Sequence, residues 1–278
     1  MLQNSRQLLL QMREQEKCLV AFNVYNLETI QAVFAAAKAK KVPAIIAFGE
    51  SYLEHTTLEA IASIVYGLDR VHGFPIVLHL DHCKSLDTIE AAIEAGFTSV
   101  MYDGSNLRFE QNIANTASVV DYAHKRDVTV EAELGYINPE HGADYAIIGP
   151  DSFTDPHQAE IFVSKTGVDS LAVAVGNAHG LYNAKPSLEL NRIKEISSKT
   201  GIPLVLHGSS GIPREQIQAA LSAGIAKINV NTEVALAGGR TIRLMVEQSS
   251  EVLRLEKIMK NVQASMISVM EEFLELSK

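Results

Sequence analysis

The chain has 278 residues, of which 47% are hydrophobic and 21% are charged, so its length and composition predict a protein with a large hydrophobic core. Its formal net charge of −9 argues against a general binding surface for nucleic acids or for anionic membranes. Two cysteines are too few for a disulfide framework and indicate a reducing, cytoplasmic environment.

The N-terminal segment from Met1 to Val20 is polar and carries charges of both signs. Because it lacks the apolar stretch of a secretory leader, we expect no signal peptide. The sequence also lacks a run of about 18 uncharged apolar residues, so we expect no membrane-spanning helix.

Eight short apolar runs recur along the chain, and each is followed by a segment with a helical pattern. The runs are rich in Val, Ile and Leu, as is typical of parallel strands buried on both faces. They are Leu19–Val24, Pro43–Phe48, Pro75–Leu80, Thr98–Tyr102, Val128–Glu133, Ser170–Val175, Pro203–His207 and Ala226–Val230. Eight strand–helix units in a chain of this length favour an α/β fold of the (β/α)8 TIM-barrel type over a doubly wound open sheet. No glycine-rich dinucleotide fingerprint follows the first run to support the open sheet.

The intervening segments have recognisable helix boundaries. Predicted helices include Leu27–Lys40, Ser85–Ala95, Leu188–Lys199 and Arg214–Ala223. Ser85 is a predicted N-cap, and a glycine follows each of the segments that end at Ala95 and Ala223. The connection Gly135–Ser152 is long and polar, which is typical of a lid or of a disordered segment. The tail Ser249–Leu276 has apolar residues at helical spacing, so we expect residues 1–278 to form a single barrel domain with extra C-terminal helices.

Polar residues stand at the C-terminal end of nearly every predicted strand. In a TIM barrel these ends converge on one rim, where the active site lies. The strand ends carry Asn23, Asp81, His82, Asp103, Glu131, Glu133, His179, His207 and Asn229. A purely structural barrel does not require ionisable groups at these positions, so the pattern predicts an active site.

Three histidines at separate strand ends suggest a metal site. His82, His179 and His207 follow strands three, six and seven, and three imidazoles from different strands form an open zinc site with a position left for substrate. A single histidine is more often a solvated or hydrogen-bonded side chain, and the histidines in predicted helices or loops are interpreted in that way. His79 alternates in phase with Asp81, so it is expected to support the site and not to bind metal. Cys83 is interpreted as a small buried residue and not as a zinc ligand.

The carboxylates near these histidines have alternative roles. Asp81 is suited to transfer a proton to or from a substrate oxygen, or to orient a neighbouring histidine. Asp103 and Glu133 are suited to bind a second cation, to orient water, or to form hydrogen bonds with neighbouring loops, and the residues alone leave these alternatives open.

Two segments after strands seven and eight predict a phosphate site, as is usual in this fold. Their glycines allow close approach of the backbone, while free amides and hydroxyls point at an oxyanion. The residues concerned are Gly208, Ser209, Ser210, Asn229, Val230, Asn231 and Thr232.

These motifs together resemble the class II aldolase family, and most closely its branch of tagatose- and fructose-bisphosphate aldolases. The resemblance begins at Phe22-Asn-Val-Tyr-Asn26 and covers nearly the whole chain. It rests on Leu78-His-Leu-Asp-His82, Val130-Glu-Ala-Glu-Leu-Gly135, Ala174-Val-Gly-Asn-Ala-His-Gly-Leu-Tyr182, Val205-Leu-His-Gly-Ser-Ser-Gly211 and Lys227-Ile-Asn-Val-Asn-Thr-Glu233.

The resemblance implies a zinc-dependent lyase that reversibly cleaves a ketose 1,6-bisphosphate, tagatose or fructose, to dihydroxyacetone phosphate and glyceraldehyde 3-phosphate. Asp81 matches the catalytic acid of the family, which transfers a proton to or from the aldehyde-derived oxygen. The implied zinc ligands are His82, His179 and His207, and the implied dihydroxyacetone phosphate contacts are Gly180, the Gly208–Ser210 segment and the Asn229–Thr232 segment. Asp103 and Glu133 match positions that hold a second cation, monovalent or divalent, in some relatives. Asn23 is a further candidate for substrate binding, and Glu140 is the candidate donor of the proton to carbon.

The chain departs from the family pattern at two places. After Gly135 it reads Tyr-Ile-Asn-Pro-Glu-His, where relatives often carry two glycines followed by acidic residues, and Asn177 stands where threonine is frequent. Both differences bear on the aldehyde half of the substrate. We therefore keep as an alternative a class II aldolase acting on another ketose 1-phosphate or on a sugar-acid phosphate.

Three other interpretations were weighed. A Schiff-base aldolase has the same fold and needs a lysine inside the barrel, for which Lys227 is placed, but the three histidines would then have no role. A zinc hydrolase commonly carries His-x-His on the first strand, where this chain has Phe22-Asn-Val24. A non-catalytic partner subunit would not need to keep Asp81 and the histidines. The expected partners are a phosphorylated ketose and further copies of the chain in a homodimer or homotetramer, with no nucleic acid and no membrane.

Overall fold

The computed structural model describes residues 2–135, 152–178, 180, 186–248 and 252–278. The strands are β1 (Leu19–Asn23), β2 (Ala44–Gly49), β3 (Ile76–Cys83), β4 (Ser99–Tyr102), β5 (Thr129–Leu134), β6 (Ser170–Val173), β7 (Leu204–Leu206) and β8 (Ile225–Val230). Neighbouring strands are parallel and form a closed eight-stranded barrel in chain order. The predicted TIM barrel is confirmed. The open doubly wound sheet is excluded, because β1 pairs with β8 through Ala21 and Asn229.

A helix follows each strand on the outside of the barrel, and one further helix lies at each end of the chain. The helices are α1 (Arg6–Glu14), α2 (Leu27–Lys40), α3 (Leu58–His72), α4 (Leu86–Ala95), α5 (Phe109–His124), α6 (Pro156–Thr166), α7 (Leu190–Thr200), α8 (Arg214–Ala223), α9 (Thr232–Gln248) and α10 (Leu255–Leu274). The predicted helix bounds are confirmed for α2 and α8, and those of α7 differ from the prediction by one or two residues at each end. Ser85 caps α4 by accepting a hydrogen bond from the Thr88 amide at 3.2 Å, as expected for an N-cap serine.

The strands are buried on both faces, which explains their apolar sequences. Their outward side chains pack against the helices in one large core. At the N-terminal ends of the strands, Leu9 and Met12 of α1 pack with Leu19, Ile45 and Val77. Helix α1 therefore covers the N-terminal end of the barrel, and polar side chains occupy the opposite rim.

The C-terminal helix α10 packs on α2 and α9. Lys40 of α2 lies 2.8 Å from Glu275, just beyond the end of α10. The tail was predicted to be helical from Ser249, but the helix begins at Leu255 and Val252 is 93% exposed. The apolar pattern is thus buried only within α10, where Val262 and Met266 face the core.

In the described part of the chain, no helix has the length and hydropathy needed to cross a lipid bilayer. Positions 136–151, which make up most of the long polar connection, lie outside the described residues.

Candidate active site

A cavity of about 370 Å³ opens at the C-terminal rim of the barrel. Most of the predicted site residues line it, namely Asn23, Asp81, His82, Asp103, Glu133, Gly180, His207, Gly208, Ser210, Asn229, Asn231 and Thr232. Two predicted substrate contacts, Ser209 and Val230, do not line the cavity, and the buried Ser209 hydroxyl donates a hydrogen bond to the Leu206 carbonyl at 3.0 Å. Glu140 and His179 lie outside the described residues.

A bulge at the end of β3 directs two consecutive side chains into the cavity. In a regular strand, Asp81 and His82 would point to opposite faces of the sheet. The pairing of β3 with β4 shifts between Leu80 and Cys83, which indicates one extra residue on β3. His82 has a left-handed backbone with φ of 47°, which is uncommon for a residue other than glycine. The bulge therefore places both a carboxylate and an imidazole beside the same space.

Two imidazoles from distant parts of the barrel meet in this cavity. His82 Nε2 lies 2.8 Å from His207 Nδ1, and the two rings are edge to face with centroids 4.5 Å apart. His207 is completely buried at the end of β7, whereas His82 is partly buried. The ligand atoms of Asp81, His82 and His207 all lie within 4.8 Å of one another, as a shared metal ion requires.

The opposite ring nitrogen of each histidine faces a carboxylate. His82 Nδ1 lies 3.1 Å from Asp103 Oδ2 and 3.7 Å from Glu133 Oε2. His207 Nε2 lies 2.8 Å from Glu131 Oε1. A carboxylate in this position keeps a proton on the ring nitrogen that faces it, so the opposite ring nitrogen offers its lone pair to a metal. Both histidines thus have the orientation and the backing typical of metal ligands.

The cluster carries more negative charge than its own cations balance. Burial alone would lower the pKa of His82, but the charges of Asp81, Asp103 and Glu133 raise it to about 10. Burial, reinforced by repulsion from Asp103, raises the pKa of Glu133 to about 8. Both shifts indicate a site in which an added cation is electrostatically favoured.

The residues present fit a bound metal ion. Glu133 Oε2 is buried without a hydrogen-bond partner among the described residues, although buried carboxylate oxygens are normally paired. It also belongs to a second group, with His82 and Asp103, whose ligand atoms lie within 4.8 Å of one another. Imidazole nitrogens and carboxylate oxygens together form the donor set that zinc accepts.

Asp81 is held as a carboxylate beside the two histidines. Asn23 and Asn229 donate hydrogen bonds to its two oxygens, at 2.9 Å and 3.1 Å. Burial alone would raise the pKa of Asp81, but the charges of His82 and His207, among others, hold it well below its ordinary value. Two asparagines predicted to bind substrate therefore also orient the predicted proton-transfer group.

A second layer of buried side chains lies beneath the cavity, and the sequence analysis did not predict which of them form pairs. Lys227 Nζ lies 2.6 Å from Glu131 Oε2, and both residues are at most 2% exposed. His79 Nδ1 lies 2.8 Å from Ser99 Oγ and His79 is not among the residues that line the cavity, in agreement with the expected supporting role. Glu131 and Lys227 alternate in phase with inward residues, which is the only sequence signal for their proximity.

One side of the cavity has the features of an oxyanion site. Gly208 has a left-handed backbone with φ of 63°, and it lines the cavity with Ser210 and with Thr232, the first residue of α9. The amides at a helix N-terminus favour an anion. Next to them, the Tyr25 hydroxyl donates to Asn231 Oδ1, and Asn231 Nδ2 donates to the Tyr52 hydroxyl at 3.3 Å.

The other side of the cavity was largely missed by the sequence analysis. It is lined by Gly49, the last residue of β2, and by Glu50, Ser51, Tyr52, Lys84, Ser105 and Asn106, which follow β2, β3 and β4. Among the described residues that line the cavity, Lys84 is the only lysine or arginine. Inspection of the residues just beyond the second, third and fourth strands, in addition to the last strand residues, would have found them.

Comparisons with known proteins identify the family of this chain. The chain matches the family described as "Fructose-bisphosphate aldolase class-II" over residues 3–278. It is 42% identical over 260 residues to the fructose-bisphosphate aldolase of Geobacillus stearothermophilus, covering 91% of this chain and 90% of that protein.

Solved structures give the same result. The YdjI aldolase of Escherichia coli K12 is 34% identical with a TM-score of 0.89, and the match covers 100% of this chain and 97% of that one. The fructose-bisphosphate aldolase of Campylobacter jejuni, at 22% identity and a TM-score of 0.82 over 99% of this chain and 95% of that one, supports the fold alone. This chain therefore belongs to the class II fructose-bisphosphate aldolase family and is a carbon–carbon lyase.

Proposed function

We propose that this aldolase depends on zinc and reversibly cleaves a ketose 1,6-bisphosphate to dihydroxyacetone phosphate and glyceraldehyde 3-phosphate. The observation that carries the proposal is the convergence of His82 Nε2 and His207 Nδ1 at 2.8 Å beside the ionised Asp81. His82, His179 and His207 would hold the metal. When bound, zinc would supply a Lewis acid that stabilises negative charge developing on the dihydroxyacetone half.

The protein groups have separate roles in this reaction. Cleavage of the bond between C3 and C4 requires the C4 hydroxyl to lose its proton as the aldehyde forms. Asp81 is a carboxylate held between Asn23 and Asn229, so it accepts that proton in cleavage and returns it in condensation. The electron pair remains on C3, where a proton must then be added.

Glu140 is our candidate for the group that adds this proton to carbon. Replacement of Glu140 by Gln should slow the exchange of tritium between labelled dihydroxyacetone phosphate and water. An unchanged exchange rate in the variant would exclude Glu140 from this step.

The layout of the cavity supports a substrate with an anion at each end. In a closed eight-stranded barrel, β3 and β4 lie across from β7 and β8. The segments after β7 and β8 carry the oxyanion features, and Lys84 with Ser105 follows β3 and β4. A ketose bisphosphate placed across the cavity would put its 1-phosphate at Gly208, Ser210 and Thr232, and its reacting carbons beside Asp81.

We also propose a second cation, monovalent or divalent, at Asp103 and Glu133. It is supported by the buried Glu133 Oε2, for which the described residues offer no hydrogen-bond partner. Stimulation of turnover by added K⁺ or Mg²⁺ that is lost in Glu133→Gln would agree with this role. If Glu133 and Asp103 serve only to orient His82, added cations should have no effect on either protein.

Lys227 is poorly placed for a Schiff base. Its Nζ is bound to Glu131, the residue is 1% exposed, and it does not line the cavity. A lysine that forms a Schiff base must reach the substrate carbonyl as a free amine. These contacts support metal-dependent chemistry over the Schiff-base alternative.

The deciding experiment measures release of dihydroxyacetone phosphate from tagatose and fructose 1,6-bisphosphates, with and without a chelator. Release that the chelator abolishes and zinc restores is the expected result, and the two rates rank the sugars. Release that survives chelation but stops after borohydride treatment would assign the chemistry to Lys227. A zinc-containing protein that cleaves neither sugar would direct the search to other ketose 1-phosphates or to sugar-acid phosphates.

Assembly and location complete the proposal. We infer a homodimer or homotetramer, supported by exposed apolar side chains along α9 such as Leu236, Ile242, Leu244 and Val246. A monomer mass measured by light scattering during gel filtration would contradict this assembly.

A cytoplasmic location is supported by two free, buried cysteines, Cys18 and Cys83, and fractionation of cells would test it.

A further inference from the structure

Lys227 and Glu131 form a buried ion pair that crosses the inside of the barrel. Glu131 lies on β5 and Lys227 on β8, and β6 and β7 separate these strands in the sheet. Their contact, at 2.6 Å between Nζ and Oε2, therefore runs through the interior and not between neighbouring strands. Lys227 pairs in register with Val205, two residues before His207, so it lies one layer beneath the cavity.

Each carboxylate oxygen of Glu131 contacts a different side chain. Oε2 accepts from Lys227, and Oε1 lies 2.8 Å from His207 Nε2. The exposed fractions of Lys227, Glu131 and His207 are 1%, 2% and 0%, so water does not compete for these contacts. Lys227 and His207 therefore hold the Glu131 carboxylate between them, each on one oxygen.

Stability alone gives a weak reason for such a pair. Replacing a buried ion pair with apolar side chains of similar volume is often neutral or stabilising, because desolvation of both charges costs as much as their attraction returns. An ion pair that ends on the imidazole of a metal ligand has a second effect, since partners of a ligand fix its orientation and raise its basicity.

We propose that Lys227 is a positioning residue for the metal centre. It compensates the charge of Glu131 and fixes both carboxylate oxygens, so that His207 keeps Nδ1 directed at the position faced by His82 Nε2. Lys227 does not line the cavity, so it is placed to act through Glu131 and not on a substrate directly. The proposal rests on the metal site of the proposed function and adds that the site depends on a buried cation beneath it.

The test compares zinc affinity, measured by competition with a chelator on zinc-loaded protein whose folding is checked by circular dichroism. Loss of a partner behind a metal ligand typically costs about 10- to 100-fold in affinity, so Lys227→Met should raise the zinc dissociation constant by that factor. The matched control is Lys40→Met, which removes the same side chain from an ion pair with Glu275 on the outside of the barrel. Its zinc affinity should equal that of the parent protein.

The double variant Lys227→Met/Glu131→Gln removes both charges and keeps an oxygen that accepts from His207. It should bind zinc more tightly than Lys227→Met and about tenfold more weakly than the parent, since an amide backs the imidazole less strongly than a carboxylate does. If Lys227→Met does not fold, the double variant still tests the proposal, because parental zinc affinity in the double variant would overturn it. Unchanged zinc affinity in a folded Lys227→Met protein would also overturn it. Failure of the parent protein to bind zinc would instead overturn the proposed metal centre itself.

Discussion

His82 Nε2 and His207 Nδ1 lie 2.8 Å apart although 125 positions separate the two residues in the chain. Each reaches this point from a different strand end, and each has a carboxylate against its other ring nitrogen. Two imidazoles arranged in this way share a metal ion or a proton. This pair of imidazoles defines the centre of the cavity.

Replacement of His207 by Ala should give protein that is largely free of zinc. The variant loses one ligand atom and leaves Glu131 without its imidazole partner, so turnover should fall by at least about 100-fold. Zinc content per chain, measured by atomic absorption, checks this. His157→Ala is the control, because the His157 side chain is 74% exposed on α6 and should keep full zinc content. Full occupancy in His207→Ala would remove His207 from the ligand set.

Asp81→Ala should retain zinc but lose turnover. Removal of a proton-transfer group typically costs about 10²- to 10⁴-fold, and the two imidazoles do not depend on Asp81 for their contact. Steady-state cleavage and zinc content should be measured on the same sample. Normal turnover, or loss of zinc in parallel with activity, would each contradict the assignment of Asp81 to proton transfer.

Tyr25→Phe should raise KM for the phosphorylated ketose about fivefold with little change in kcat. The Tyr25 hydroxyl donates to Asn231 Oδ1 and so fixes the Asn231 amide, whose NH₂ group donates to the hydroxyl of Tyr52 in the cavity wall. Loss of one such hydrogen bond costs about 1 kcal/mol. Tyr122→Phe is the matched control, since that hydroxyl bonds only Glu94 among the described residues, on the outer surface. A parallel fall in kcat without a change in KM would place Tyr25 in another role.

Lys84→Met should weaken binding of a bisphosphate more than binding of the corresponding 1-phosphate. Lys84 is exposed at the mouth of the cavity, so its attraction to a distal phosphate is partly screened and should be about 1 kcal/mol, or roughly fivefold in KM. The ratio of KM values for fructose 1-phosphate and fructose 1,6-bisphosphate is the measurement. Equal effects on the two substrates would mean that Lys84 does not recognise the second phosphate.

The architecture was predictable because it is encoded locally. Apolar runs such as Ala44–Gly49 alternate with helices whose caps are visible in the chain, as at Ser85. The rule that strand ends converge in a closed barrel then brought His82, His207 and Asp81 into one site, and the structure brings these three together. The same rule, applied only to the last strand residues, missed Lys84 and Ser105, which lie one to three residues beyond their strands.

The sequence by itself determined the eight strand–helix units and the polar rim, since both follow from the period of apolar residues along the chain. The tertiary structure alone decided that consecutive Asp81 and His82 both face the cavity, because regular alternation separates them and the bulge in β3 depends on pairing with β4. It also decided that Lys227 meets Glu131 and not a substrate. That contact crosses the barrel, so it exists only after the strands have closed in one register, and no local pattern specifies it.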